Sequence, residues 1–195
     1  HKKCVGVTIT DLLWHPVYSK NPIIAKNIHE VFQGFLSSLT KAGYGVVFIP
    51  QLYGNGNDYD LMCTFCRDTN DYFVVTANDE RYDTYFQQYL IGQLYAVIGM
   101  RYHSNIFSAK MGTPFISVSY EQKMKGFMKK MDLAEYCIDL QNLSKEVLEN
   151  RFDQLVNHYD EYKKDLCNKH VFMKSEAHKT TDILEMVLAK KEKVQ

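Results

Sequence analysis

Short continuous apolar runs alternate with amphipathic stretches along the chain. Cys4 to Ile9 is a β-branched run that reads as a buried strand. Gly45–Pro50, Tyr72–Ala77, Tyr95–Met100, Phe115–Ser119 and, more briefly, Tyr136–Leu140 repeat the pattern. Between them the apolar period changes to that of a helix. Asn21-Pro22 marks one helix start, because Asn caps and Pro fits the first helical position. Ile24, Ile28, Val31, Phe35 and Leu39, flanked by Phe32 and Leu36, form its inner face, and Gly43 ends it. The polar loop Gln51–Asp60, with its Gly54-Asn55-Gly56 turn signal, is expected to be exposed and to lead into a short helix over Leu61–Arg67. A helix over Asp83–Gln93 is expected to turn Phe86, Leu90 and Leu94 inward. Helices over Ser104–Lys110 and Gln122–Met131 follow, the first stopped by Gly112 and Pro114. Beyond Ser144 the pattern is helical almost to the end, with breaks expected near Asn168 and Ser175. Leu148, Phe152, Leu155, Tyr159 and Tyr162 line one side of that region.

Strands that are apolar throughout, each followed by a helix, imply a parallel sheet covered on both faces. Right-handed crossovers leave a doubly wound, Rossmann-like α/β sheet of about six strands, order 3-2-1-4-5-6, with C-terminal helices. Ligands of such sheets bind beyond the carboxyl ends of the strands, where the strand order reverses. That rule selects the loops Thr10–Lys20 and Arg101–Ser104, with Tyr120–Lys123 next to them.

Composition narrows the function classes. The 195 residues carry 23 Lys+Arg against 23 Asp+Glu, a balance that argues against general nucleic-acid wrapping or adhesion to an anionic membrane. No apolar stretch approaches the roughly 20 residues of a spanning helix. The five cysteines are irregularly spaced, which suits reduced thiols in a cytosol better than a disulfide framework. Cys63-Thr64-Phe65-Cys66 has redox or zinc spacing but no second pair or nearby His, so no metal site is expected. Gly-x-Gly-x-x-Gly, P-loop, Gly-x-Ser-x-Gly and His-Glu-x-x-His patterns are all missing, which lowers the standing of NAD enzymes, phosphate-loop ATPases and serine hydrolases. The chain starts at His1, read as a cut inside a longer protein.

Arg101-Tyr102-His103-Ser104 follows a buried strand and opens a helix. Free N–H groups there favour an anion, Arg101 adds a forked donor, His103 can exchange a proton near neutral pH, and Lys123 adds a cation. The alternative, on spacing alone of equal weight, is that Arg101 pairs with a carboxylate and His103 is a structural histidine.

The continuous segment from Val97 to Lys123 contains Gly99-Met100-Arg101-Tyr102-His103, Phe107-Ser108-Ala109, Gly112-Thr113-Pro114 and Tyr120-Glu121-Gln122-Lys123. It resembles the polysaccharide pyruvyl transferase family, with weaker similarity at Phe48-Ile49-Pro50, the acidic loop after it, and Asp139-Leu140. The resemblance implies the C-terminal half of a GT-B-like enzyme. Residues 1–150 would be a Rossmann-like donor-binding domain, 151–195 a helical extension packed on it, and an N-terminal half would lie outside this chain. It also implies a transferase that moves pyruvate from phosphoenolpyruvate to a sugar as a cyclic ketal. The acceptor would be a glycan or lipid-linked sugar of a bacterial exopolysaccharide or cell envelope. Phosphoenolpyruvate would be donor substrate, with no cofactor and no nucleic acid. The protein would act in the cytoplasm or at the inner face of the membrane, without spanning it. His103 and Arg101 would be catalytic. Arg101, Tyr102, His103, Ser104, Tyr120, Lys123, Thr10, Asp11 and His15 would bind substrate. One departure stands out: where many family members have an Arg after the first strand, this chain has Thr10-Asp11, and His15 or Lys20 would have to substitute. Two other readings stay open. One is a nucleotide-sugar-dependent GT-B glycosyltransferase, with Glu121 holding a ribose; the other is a degenerate domain that binds a glycan or a protein.

Overall fold

A computed structural model describes residues 2–53, 57–66, 71–75 and 82–192. The Gly54-Asn55-Gly56 turn, Arg67 and Ala77 lie outside them. Six parallel strands form one sheet: β1 (Cys4–Thr8), β2 (Gly45–Phe48), β3 (Tyr72–Val74), β4 (Ala96–Gly99), β5 (Phe115–Ser119) and β6 (Cys137–Asp139). Their order is β3-β2-β1-β4-β5-β6, so the chain reverses direction across the sheet between β1 and β4. The pattern of continuous apolar runs is explained by burial on both faces: every residue of β4 and β5 is buried, and all of β1 except its first.

Helices cover the two faces: α1 (Pro22–Lys41), α2 (Asp58–Phe65), α3 (Thr84–Gln93), α4 (Tyr102–Met111), α5 (Gln122–Lys130), α6 (Lys145–Asn157) and α7 (Tyr159–Glu192). Helix α1 starts as read, with the Asn21 side chain accepting the Ile23 N–H and Pro22 at the first position. Six apolar residues from Ile28 to Leu39 are buried beneath it.

Three expectations are corrected. Helix α2 begins at Asp58 rather than Leu61, because Asn57 caps it by accepting the Tyr59 N–H. Asp58, expected in an exposed loop, is 1% exposed. Helix α3 buries Gln87 and Ile91 and leaves Phe86 exposed, while Leu90 is half-buried and Leu94, expected inward, is buried. The rotation is set from outside the helix: Asp83 caps the Phe86 N–H, and Gln51 donates to the Gln87 side chain across the top of the sheet. Finally, α7 runs unbroken through Asn168 and Ser175 for 34 residues, and the break falls at His158, between α6 and α7. Tyr162 and Leu166 anchor its first turns in the core, the Tyr162 hydroxyl donating to the Phe115 carbonyl at 2.6 Å.

Helix α4 is unlike the rest, because its buried face is Ser104, Asn105, Ser108 and Ala109. Arg101 N–H donates to Thr8 Oγ1 (3.2 Å), the Thr8 and Ser104 hydroxyls lie 2.9 Å apart, and Ser104 donates back to the Arg101 carbonyl (2.6 Å). Asn105 donates to Ser117 Oγ (2.8 Å), and Ser108 to the Ser104 carbonyl. These bonds satisfy polar groups that are fully out of water, except Asn105 Oδ1, which has no partner among the described residues. They also bring the helix so close to β4 that a Cβ at Gly99 would lie 2.0 Å from Asn105 Oδ1.

Candidate active site

The carboxyl ends of β1, β4 and β5 lie side by side where the strand order reverses, the place at which sheets of this kind hold ligands in a crevice. Helices α4 and α5 both start there, and neither has a side-chain cap: their N-cap residues are Arg101 and Glu121. Helices α1, α2, α3 and α6, by contrast, are capped by Asn21, Asn57, Asp83 and Ser144. The first-turn N–H groups of α4 are therefore left to whatever anion enters.

Arg101 is buried, and its guanidinium is paired. Nε donates to Asp58 Oδ2 at 3.0 Å, Nη2 donates to Asp58 Oδ1, and the central carbon of the group lies over the Trp14 ring, 5.0 Å from its centre. The carboxylate partner is Asp58 from the start of α2, and Trp14 comes from the β1–α1 loop. Sequence reading named neither residue. Asp58 sits in a stretch whose polar composition signalled only a loop, and Trp14 carried no chemistry of its own.

The β1–α1 loop is tightly held. Thr10 is buried, its hydroxyl accepting from Trp14 Nε1 (2.9 Å) and the Leu12 N–H (3.3 Å). Leu12 has φ +60, a left-handed conformation unusual for a branched residue, and its side chain is fully buried. Asp11 accepts the Leu13 N–H. His15 Nδ1 accepts the Val17 N–H (3.2 Å), which places its proton on Nε2, 3.4 Å from Glu121 Oε1. Both nitrogens of His15 are thereby engaged. Tyr18 donates to the Tyr120 carbonyl (3.1 Å), and the rings of Trp14, His15, Tyr18 and Tyr120 pack edge to face or tilted.

Glu121 binds Lys123 as well, at 2.8 Å. The hydrogen bond from Lys123 holds the Glu121 carboxyl below the ordinary carboxylate range, burial opposing and His15 assisting. The same bond raises Lys123, whose ammonium also lies 5.5 Å from the Tyr102 ring. Burial pushes the Tyr120 phenol up, with the Arg101 guanidinium beside it pulling the other way.

The expected residues thus divide. His103 is exposed on the first turn of α4, its ring against Tyr102 and Phe107, and Lys123 is exposed on α5. Tyr102 and Tyr120 are half-buried beside them. Ser104 and Thr10 are buried with their hydroxyls bonded inside the fold, so neither hydroxyl faces the ligand side.

Phosphate or carboxylate is the ligand chemistry that suits uncapped helix N-termini backed by a guanidinium, and the fold around them is Rossmann-like. The chain belongs to the polysaccharide pyruvyl transferase family, whose sequence pattern matches residues 5–122. It is 26% identical over 166 residues to the amylovoran biosynthesis protein AmsJ of Erwinia amylovora, covering 82% of this chain and 39% of that protein. The chain therefore spans about two-fifths of the length of that curated relative. Among solved structures it is similar to the UDP-GlcNAc 2-epimerase of Neisseria meningitidis bound to UDP-GlcNAc (TM-score 0.58, 12% identity, 85% of this chain and 39% of that one). A putative UDP-N-acetylglucosamine 2-epimerase from Listeria monocytogenes is similar too (TM-score 0.55, 10% identity, the same coverage). At these identities the likeness is one of fold.

Proposed function

We propose that this chain is the donor-binding part of a polysaccharide-modifying transferase that moves pyruvate from phosphoenolpyruvate to two hydroxyls of a sugar. The observation that carries the reading is the uncapped start of α4, with His103 exposed on its first turn and Arg101 fixed directly behind it. Membership of the pyruvyl transferase family and the similarity to an amylovoran biosynthesis protein support a place in polysaccharide assembly.

The donor carries phosphate and carboxylate on adjacent positions of a three-carbon skeleton. The α4 N–H groups meet one anionic group, with Lys123 reaching it from its pair with Glu121, and the edge of Arg101 that Asp58 leaves, beside Tyr120, meets the other. His103 delivers a proton to the methylene carbon, which leaves positive charge at C2. One sugar hydroxyl attacks C2, the C–O bond to phosphate breaks, and the second hydroxyl closes the ketal. Of the two hydroxyl protons released, one restores His103 and the other leaves on phosphate, so no cofactor is required. The family Arg after the first strand has no cationic replacement in His15, both of whose nitrogens are engaged. Lys20, exposed near the end of the β1–α1 loop, is the remaining candidate for that role. Among the described residues no helix is long and apolar enough to cross a membrane, and we place the protein on the cytoplasmic side, where the donor is available.

The test is His103→Gln in the full-length protein, read as phosphate released from phosphoenolpyruvate in the presence of acceptor. A proton-transfer group contributes about 10²–10⁴-fold, and a loss of that size is the expected outcome. A rate within a few-fold of wild type would remove His103 from the reaction. The nucleotide-sugar reading is weaker, because the Glu121 carboxylate it needs is already shared between His15 and Lys123.

A further inference from the structure

Asp58 is a fully buried carboxylate, and its four donors come from two other parts of the chain. Oδ2 accepts the N–H groups of Gln51 (3.1 Å) and Leu52 (2.9 Å), which fixes the turn after β2. The same oxygen and Oδ1 receive Nε and Nη2 of Arg101. The second constraint on the guanidinium is Trp14, over whose ring its central carbon lies and whose indole N–H is tied to Thr10. One edge of the group is therefore bonded and its position over the indole set by the protein before any ligand arrives. Nη1 takes no part in the Asp58 pair, and Tyr120 stands beside the group.

We propose that Asp58 is a positioning residue for the crevice, holding Arg101 so that one edge of its guanidinium is presented to the ligand in a fixed direction. The proposal rests on the donor-binding reading above. It has a consequence that a merely structural role lacks. The carboxylate largely cancels the charge of Arg101, so the pair supplies direction more than attraction. Attraction comes chiefly from the α4 N–H groups, since Lys123 is itself paired with Glu121. Removing the Asp58 charge should make the crevice more positive and less ordered at once. Anion affinity and turnover then move in opposite senses, whereas loss of structural support weakens both.

The experiment is Asp58→Asn in the full-length protein, which keeps an oxygen for the Gln51 and Leu52 N–H groups. Three quantities are read: the Kd for inorganic phosphate, kcat for phosphate release from phosphoenolpyruvate, and the NMR signal of the Arg101 Nε–H. Expected are a phosphate Kd equal to or tighter than wild type, kcat lower by at least about ten-fold, and loss of the protected Nε–H signal. A kcat within about two-fold of wild type, or a Kd that weakens in step with kcat, would overturn the proposal. If the wild-type protein binds phosphate but releases none from phosphoenolpyruvate, the donor reading fails by itself. Asp58 is then judged on the other two readouts: tighter phosphate with a lost Nε–H signal supports it, and no change in either sinks it. Should Asp58→Asn not fold, Asp58→Glu keeps the charge but shifts the pair by one methylene. It should lower kcat with phosphate Kd within about two-fold of wild type, and unchanged kcat and Nε–H signal would overturn the idea.

Discussion

Gly99 shows how closely single residues are constrained around the crevice. A methyl group there would meet Asn105 Oδ1 at 2.0 Å and Ser104 Oγ at 2.8 Å, both held by the hydrogen bonds that seat α4. Gly99→Ala must therefore push α4 away from β4. Overpacking of this kind costs about 1–3 kcal/mol, and chemical denaturation should show a midpoint shift of that order with an unchanged slope. A variant as stable as wild type would mean that α4 is not fixed against the strand. Individual contacts were the least legible part of the sequence. That Arg101 might face a carboxylate was one of two readings of its spacing. Which carboxylate depends on how the β2–α2 connection folds back over the sheet, since Asp58 is separated from Arg101 by 43 positions. Similarly, His15 looked like a free cation in a loop. Its two bonds, to Val17 and Glu121, exist only once the β1–α1 loop and the start of α5 have come together.

Elements were easier to read where burial alone decides them. The four inner strands, β2, β1, β4 and β5, announce themselves as apolar runs because they are covered on both faces, whereas the edge strands β3 and β6 are only partly buried. Helix α1 has a cap, an N-terminal Pro and a wide apolar stripe, so its limits and inner face came out together. Helix α3 failed in its rotation because its aromatic residues, Tyr85, Phe86 and Tyr89, face outward while a glutamine is buried. Helix α7 failed in its continuity: Asn168 and Ser175 are weak helix formers that raise the cost of a turn only slightly, and nothing in the chain forces a stop there. Its attachment depends on a few residues near its start. Tyr162→Phe removes the bond to the Phe115 carbonyl while keeping the ring, and should lower stability by about 0.5–1.5 kcal/mol in thermal or denaturant unfolding. No measurable change would place the hold of α7 in apolar contact alone.

For the whole molecule, strand order was the most accessible property, because right-handed crossovers leave few alternatives once the elements are known. The location of the crevice follows from that order. How its parts are tied together does not, and Glu121 is an example: it joins the β1–α1 loop, through His15, to α5, through Lys123. Its carboxyl is held below the ordinary range, chiefly by the Lys123 hydrogen bond. The group therefore contributes its stabilisation fully above the ordinary glutamate value of about 4.3, and loses it as pH falls through the lowered value. Asp139, lowered by its bond from Lys125, behaves in the same sense. Unfolding midpoints should thus be level from neutral pH down to that range and drop below it. Glu121→Gln should flatten part, but not all, of the drop. An acid limb identical to that of wild type would show that the Glu121 links contribute nothing to folding.

The hydroxyl and amide contacts beneath α4 have a mechanical meaning. A helix resting on leucines and valines is held by interdigitation of its side chains, a contact whose dispersion energy has no preferred direction. One fastened through Thr8, Ser104, Asn105 and Ser117 behaves as a keyed joint: it is either seated or released, with few stable settings between. The anion-facing end of α4 is then a rigid mount, and accommodation to a larger or differently shaped ligand falls to the loops that follow β1 and β5.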